Sequence, residues 1–164
     1  MNRLGARYLV VGGFAIIEAG FLRTTVDIDL LIEASPDNER KVFEALRCLP
    51  DQAVQELNPG DVERFVVVRV CDEVVVDLMK RAGGLDYAEA IRDAEYHEVN
   101  GVRVPFASPQ TLWRMKQTHR EKDIPDRLFL RKLLEARGVP IEETPKPPAG
   151  RLRRWLERLF GGSR

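Results

Sequence analysis

The sequence is poor in cysteine and in histidine. It contains two of each in 164 residues, namely Cys48, Cys71, His97 and His119. Two cysteines are too few for a disulfide framework, and with no signal peptide at the start of the chain they favour a reduced, cytoplasmic setting. Neither histidine has partners at metal-ligand spacing, so we do not expect either of them to bind a metal.

Net charge and long apolar segments are absent as well. The 26 basic and 26 acidic residues give a formal charge of zero, which argues against a protein that binds nucleic acid through its overall charge. No apolar stretch approaches the roughly 20 residues that span a bilayer. The charge is unevenly spread, because residues 151–164 hold five arginines and one glutamate, or +4, and residues 1–150 therefore carry −4.

Hydrophobic residues make up 44% of the chain, which is enough for one ordinary domain with its own core. Strand and helix patterns alternate along it, and Asn100-Gly101 is a strong hairpin signal. The sequence therefore predicts an α/β (α+β) fold, with helices packed on a mixed β-sheet and a helical segment at the C-terminus. The predicted strands are 8–11, 25–32, 64–71, 73–79, 96–99 and 102–105, and the predicted helices are 14–19, 36–47, 87–92, 109–120, 124–137 and 151–160.

The domain organisation follows from these elements. Residues 1–106 are predicted to form the core, and residues 107–138 to form helices that pack on it. Four prolines between 139 and 150 predict a stiff linker, and residues 151–164 a basic amphipathic helix. We expect this helix to pack within the protein or in an oligomer, or to contact a partner protein, RNA or a membrane surface.

Two carboxylates one residue apart are the most informative feature of the chain. In a strand, residues at i and i+2 point to the same face, so Asp27 and Asp29 are predicted to lie side by side, with Val26, Ile28 and Leu30 facing the core. Eleven aspartates predict roughly 0.7 such pairs by chance, so the pair alone is weak evidence. Its apolar strand setting is what suggests a bound cation that relieves the repulsion.

A third carboxylate follows on the next strand pattern. Asp77 lies in the run VVVDLM and shares a face with Val75. Three carboxylates on neighbouring strands suit two divalent cations about 3.5–4 Å apart, as in phosphoryl transfer. Gly12-Gly13, placed between a strand and a helix, would offer backbone N–H groups to a phosphate.

At this point the motifs resemble a known family. The order VVGGFAI, RTTVDIDLL and VVVDLM is similar to the DNA polymerase beta superfamily of nucleotidyltransferases, and in particular to minimal bacterial members such as the AbiEii toxin type. A later R-x-K-D-x-x-D segment, formed by Arg120, Lys122, Asp123 and Asp126, also resembles that group. The resemblance spans roughly residues 7–135.

The resemblance implies a nucleotidyltransferase fold and a role for each motif. It implies that Asp27, Asp29 and Asp77 bind two Mg²⁺ ions, for which Mn²⁺ would substitute, and that Asp77 helps to deprotonate an acceptor hydroxyl. The implied nucleotide contacts are Gly12, Gly13, Arg23, Thr25 and Lys116. Arg120, Lys122 and Asp123 are further candidates for the site: an acid in this segment is implicated in catalysis in the toxin-type enzymes, and the alternative role of Asp123 is to orient Arg120 or Lys116. The implied activity transfers a nucleoside monophosphate from an NTP such as ATP to a hydroxyl of tRNA or other RNA, of a protein or of a small molecule, in some members within a toxin–antitoxin system.

Each site residue also has a purely structural interpretation. The acidic pair would then belong to a solvated edge strand, and the glycines to a tight turn. Arg23 would pair with Asp27 or Asp29, Lys116 would be a surface lysine, and Asp123 would stabilise the start of a helix. Two other functions stay open: a catalytically silent nucleotide-binding or antitoxin-like module, and a metal-dependent phosphodiesterase, for which we find no clear water-activating His or Lys.

Overall fold

A six-stranded mixed sheet organises residues 1–141, the part of the chain that the computed structural model describes. Six α-helices and a separate two-stranded sheet accompany it in this part, which confirms the predicted fold class. The strands are β1 (Tyr8–Val11), β2 (Asp27–Ile32), β3 (Val68–Cys71), β4 (Val75–Met79), β5 (Arg81–Ala82), β6 (Leu85–Asp86), β7 (Glu95–Val99) and β8 (Val102–Phe106). The helices are α1 (Gly12–Glu18), α2 (Pro36–Leu46), α3 (Asp61–Arg64), α4 (Tyr87–Ala90), α5 (Pro109–Met115) and α6 (Ile124–Ala136).

The main sheet has the strand order β3-β4-β2-β1-β8-β7. Strands β2 and β4 are parallel, as are β1 and β8, and the other neighbouring pairs are antiparallel. The parallel β2–β4 pair puts Asp29 directly opposite Asp77. Strand order therefore brings together two motifs that are 48 residues apart in the chain.

The core lies against the central strands. Leu9, Leu31 and Leu78 come from three neighbouring strands of the sheet and are fully buried. Ile16 of α1 and Leu112 of α5 are also fully buried and belong to the same apolar cluster. This packing fixes the two helices beside the strands that carry the aspartates.

Helix α2 forms as the sequence predicts. The Ser35 side chain accepts a hydrogen bond from the Asn38 backbone N–H at 3.3 Å, and Pro36 occupies the first turn, where its missing N–H costs nothing. Val42, Phe43 and Leu46 recur at helical spacing and are buried, so they form the inner face of this helix.

Two predicted boundaries near the acidic pair are wrong. Helix α1 begins at Gly12 instead of after the glycines, so both glycines belong to its first turn. Strand β2 begins at Asp27 instead of residue 25, because the ladder with β4 starts there. Val26 therefore precedes the sheet and is exposed, contrary to the prediction that it faces the core.

Other differences lie in the connections. The predicted helix 109–120 ends at Met115, because Thr118 and Arg120 donate to the Asp123 carboxylate and hold the chain in a turn. A 3₁₀ turn at Ala53–Glu56 lies between the predicted helix 36–47 and the predicted strand 64–71, and the β5–β6 hairpin was not predicted.

The predictions for the C-terminus are not addressed by this part of the chain. The basic helix 151–164 and most of the linker 139–150 lie outside the described residues, and the boundary at residues 106 and 107 stays a prediction. Among residues 1–141, no helix combines the length and the apolar character that crossing a membrane requires.

Candidate functional site

One cleft of about 640 Å³ contains every residue that the sequence singled out for metal or nucleotide contact. Its walls include the start of α1, the faces of β2, β3 and β4, the β5–β6 hairpin, and α5 with the segment that follows it. The predicted residues that line it are Gly12, Gly13, Arg23, Thr25, Asp27, Asp29, Asp77, Lys116, Arg120, Lys122 and Asp123. The structure thus brings together residues that are spread over 112 positions of the chain.

The three aspartates lie on one face of the sheet. Asp29 is opposite Asp77 on the adjacent parallel strand, and Asp27 is two residues before Asp29 on the same face. The pKa of Asp29 is raised above its usual value, first by burial and then by the negative charge of Asp27, with a smaller contribution from Asp77. This floor of the cleft therefore favours an added positive charge.

A cation from the chain itself already contacts this acidic floor. Arg69 of β3 is paired with Asp77 in the antiparallel ladder, and its Nε and Nη2 atoms donate to the two Asp77 carboxylate oxygens at 2.7 Å each. Its Nη2 atom also lies 3.7 Å from Asp27 Oδ2. These hydrogen bonds hold the pKa of Arg69 above its already high value.

Arg69 was not identified from the sequence, although a signal was present. Asp72, Glu73 and Val74 connect β3 to β4, and a symmetric register centred on Glu73 places residue 69 opposite residue 77. Because both oxygens of Asp77 are engaged by Arg69, the acids are not arranged as a ready metal site. Consistently, residues 1–141 contain no group of three His, Cys, Asp or Glu side chains positioned to hold a metal ion.

The two glycines are required by close approaches at the edge of the cleft. Gly12 has a φ of +62°, and a Cβ atom there would overlap the carboxylate of Asp29. A Cβ atom on Gly13 would overlap the Thr25 side chain, and the Gly13 N–H donates a long hydrogen bond of 3.4 Å to Asp29 Oδ2. Thr25 in turn donates to Asp27 at 3.0 Å. In this arrangement the glycines and Thr25 contact the aspartates directly.

The opposite wall contains a network of ion pairs around two buried carboxylates, which we call the α6 network: Arg23, Lys116, Arg120, Asp123 and Asp126. Asp126 accepts two hydrogen bonds from Arg23 at 2.8 Å and lies 2.9 Å from the Lys116 ammonium group. Asp123 accepts from Lys116 at 3.0 Å and from Arg120 at 3.1 Å. Burial would raise the pKa of Asp123, but hydrogen bonds from Thr118 and Lys116 and the charges of Lys116 and Arg120 outweigh it and lower that pKa.

This network decides among the structural interpretations. Arg23 pairs with Asp126 instead of Asp27 or Asp29. Asp123 is the N-cap residue of α6 and Asp126 lies in its first turn, in agreement with the structural interpretation of acids at the start of a helix. Both are almost fully buried, and the Asp123 side chain forms no capping hydrogen bond. Lys116 is not a surface lysine, because its side chain is only 12% exposed.

The charge of the lining identifies the kind of ligand that suits the cleft. Six basic side chains and four acidic ones line it, for a formal charge of +2, in a chain whose first 150 residues carry −4. The basic side chains include Arg81, which the sequence did not single out. A polyanion that brings a divalent cation would match both the basic wall and the acidic floor.

Comparisons with known proteins add no assignment to this geometry. Neither a protein-family model nor a curated protein matches the sequence.

Proposed function

We propose that this chain is a Mg²⁺-dependent nucleotidyltransferase, which transfers a nucleoside monophosphate from an NTP to an acceptor hydroxyl and releases pyrophosphate. The observation that carries the proposal is the pairing of Asp29 with Asp77 across adjacent strands, with Asp27 on the same face and a basic wall opposite. The order of the motifs, similar to minimal bacterial nucleotidyltransferases, supports the same assignment.

The chemistry of the donor set suits Mg²⁺. Carboxylate oxygens are the ligands that this ion prefers, and it commonly uses one or two of them together with phosphate oxygens and water. Asp27 and Asp29 would hold the ion or ions, with Asp77 as the third carboxylate, and Mn²⁺ would substitute. When bound, the metal would neutralise phosphate charge and lower the pKa of the attacking hydroxyl.

The protein's own residues would position the NTP. The backbone of Gly12 and Gly13 lines the cleft beside Asp29 and would contact phosphate oxygens, and Lys116 and Arg120 would neutralise the triphosphate from the opposite wall. Asp126 forms ion pairs with both Lys116 and Arg23. Through this shared partner, Arg23 would help to keep Lys116 in place beside the triphosphate. Because phosphoryl transfer asks for little covalent chemistry from the protein, such positioning would supply most of the catalysis.

The acceptor side follows from the same floor. Asp77 would accept the proton of the incoming hydroxyl once its oxygens are released from Arg69. Val67, Met79 and Met115 provide an apolar wall against which a nucleobase would pack. These three side chains form no hydrogen bonds with a base, so we propose that the protein discriminates only loosely among nucleobases. The proposed acceptor is a hydroxyl of RNA, of a protein or of a small molecule.

The transfer assay uses the full chain. It is incubated with Mg²⁺, each α-³²P-labelled NTP, total tRNA and a cell lysate, and labelled products are separated by size and by sensitivity to nuclease and protease. We expect one labelled species with the wild type and none with the Asp27→Asn/Asp29→Asn double variant. Asp37→Asn, which neutralises an exposed carboxylate on α2, is the matched control and should retain transfer. Absence of transfer from every NTP, or equal transfer by the double variant, would refute the proposal.

One observation favours a second candidate. Because Arg69 occupies both oxygens of Asp77, the same fold would also serve as a catalytically silent nucleotide-binding or antitoxin-like module. Calorimetry with Mg²⁺ and a series of NTPs separates the two functions. Binding without any labelled product in the transfer assay would identify the silent module, whereas product formation would exclude it.

A further inference from the structure

Arg69 is placed to act on the acidic floor in a way that the transfer reaction does not itself require. It lies on β3, the edge strand of the sheet, and reaches across to Asp77 and Asp27. We propose that Arg69 is a built-in counter-ion that competes with the divalent cation for Asp77 and Asp27. This inference rests on the proposed function in one respect, namely that a divalent cation binds to these aspartates.

The need for a counter-ion follows from the geometry of the floor. Three carboxylates share one face of two adjacent strands, and the side chain of Asp77 is only 8% exposed. An uncompensated carboxylate at such a site is costly, because burial removes its hydration and the neighbouring acids repel it. The two-point guanidinium contact satisfies both oxygens of Asp77 when no other cation is present.

The Arg69 side chain can move away from the acidic floor more easily than the Lys116 side chain can. Its side chain is 56% exposed, and it extends from an edge strand into the open cleft. Lys116, by contrast, is largely buried and contacts Asp123 and Asp126. Arg69 can therefore rotate into solvent without opening a cavity, whereas Lys116 would break the α6 network.

Competition is a direct consequence of the two hydrogen bonds. Arg69 uses acceptor capacity on both Asp77 oxygens and places a positive charge beside them, so it opposes any cation that coordinates Asp77, and binding of one weakens binding of the other. Removing Arg69 should therefore strengthen binding of a divalent cation. Charge-assisted hydrogen bonds of this kind, discounted for the exposure of Arg69, correspond to about a tenfold gain in affinity.

The experiment measures Mn²⁺ binding to the full chain without nucleotide, by electron paramagnetic resonance of free Mn²⁺. The variants are Arg69→Ala and Arg69→Gln, the second of which retains a side chain able to donate to Asp77. Arg131→Ala is the matched control, because it removes an arginine from an exposed pair with Glu135. We expect about tenfold tighter binding by Arg69→Ala, a smaller gain by Arg69→Gln, and no change in the control.

A second readout locates the competition at Asp77. Mn²⁺ should raise the melting temperature of Arg69→Ala more than that of the wild type, because the variant leaves Asp77 without a counter-ion until the metal binds. The double variant Arg69→Ala/Asp77→Asn should lose the gain in affinity. Unchanged or weaker binding by the Arg69 variants, no binding by any form, or a gain that persists without Asp77 would overturn the proposal. Tighter binding would support it even if the transfer assay were negative, so the two proposals fail separately.

Discussion

Replacement of Asp126 by asparagine should be among the most destabilising single changes in the described part of the protein. Asp126 is almost fully buried and faces two cations, Arg23 through two hydrogen bonds of 2.8 Å and Lys116 at 2.9 Å. Asn keeps the size of the side chain but removes its charge. Both cations then face a neutral group in a largely water-excluded site.

The magnitude follows from what each cation loses. Breaking a buried ion pair costs about 3–5 kcal/mol when one charge is left without its partner. Two features place Asp126→Asn at the lower end of that range: the Arg23 side chain is 29% exposed and can be rehydrated, and Lys116 keeps its contact with Asp123. We expect a loss of about 3 kcal/mol in the free energy of unfolding, or about 6–12 °C in melting temperature.

Urea denaturation followed by circular dichroism at pH 7 measures this loss. Glu135→Gln is the matched control, because it removes a carboxylate from an exposed pair with Arg131 on the same helix and should cost less than about 0.5 kcal/mol. A double-mutant cycle with Arg23→Met should give a coupling of roughly 1–2 kcal/mol. A loss for Asp126→Asn no larger than that of the control would show that the α6 network does not stabilise the fold as argued.

Two further predictions concern the same cleft. Gly12→Ala should lower the free energy of unfolding by clearly more than Gly5→Ala. Both glycines have a φ near +61°, so an alanine at either position carries about 1–2 kcal/mol of strain from the left-handed conformation. Only at Gly12 would the new Cβ atom also overlap Asp29. Asp123 should stabilise the protein above pH 4 and lose that effect in acid, because its pKa is lowered in the folded state from 3.8. The stabilisation is present above the unfolded pKa and disappears as the pH falls through the lower folded pKa, so the gap in stability between the wild type and Asp123→Asn should shrink between pH 5 and about 2.

Each of these predictions has its own measurement. For the glycines, equal losses in urea denaturation would mean that the chain around Asp29 moves to accept a side chain. For Asp123, melting temperatures are followed across the pH series, and a gap that stays constant or widens in acid would contradict the lowered pKa.

Elements whose signals are local were predicted well. The turn of the β7–β8 hairpin needs two residues with positive φ, and Asn100 and Gly101 have φ values of 49° and 76°. Helix α2 is specified by its cap and by a regular apolar face, and the acidic strand by its alternation. In these cases the information lies within a few residues, so tertiary contacts had little to change.

Predictions failed where particular side-chain or strand contacts overrode the periodic pattern. Helix α5 ends at Met115 although its pattern continues, because Asp123 draws Thr118 and Arg120 into a turn. Val26 has the apolar character of a strand residue, but the ladder with β4 begins only at Asp27. For Val26 the deciding partner lies on another strand, so a local pattern does not contain it. The turn after α5 depends instead on contacts between polar side chains three and five residues apart, which helical periodicity does not register.

The sequence by itself determined which chemical groups the cleft contains. The positions of the glycines, of the three aspartates and of the later basic segment follow from alternation, turn chemistry and motif order, and all of them line one cleft.

Only the tertiary structure decided which cation opposes which carboxylate. Arg23 is close to Asp27 and Asp29 in sequence and 103 residues from Asp126, yet it pairs with Asp126. It does so because α6 lies beside the residues that precede β2, where Phe129 stacks on Phe21. Arg69 meets Asp77 because β3 occupies the sheet edge beside β4. Ion pairing depends on distance and burial in three dimensions, so the electrostatic state of the acidic floor is a property of the fold.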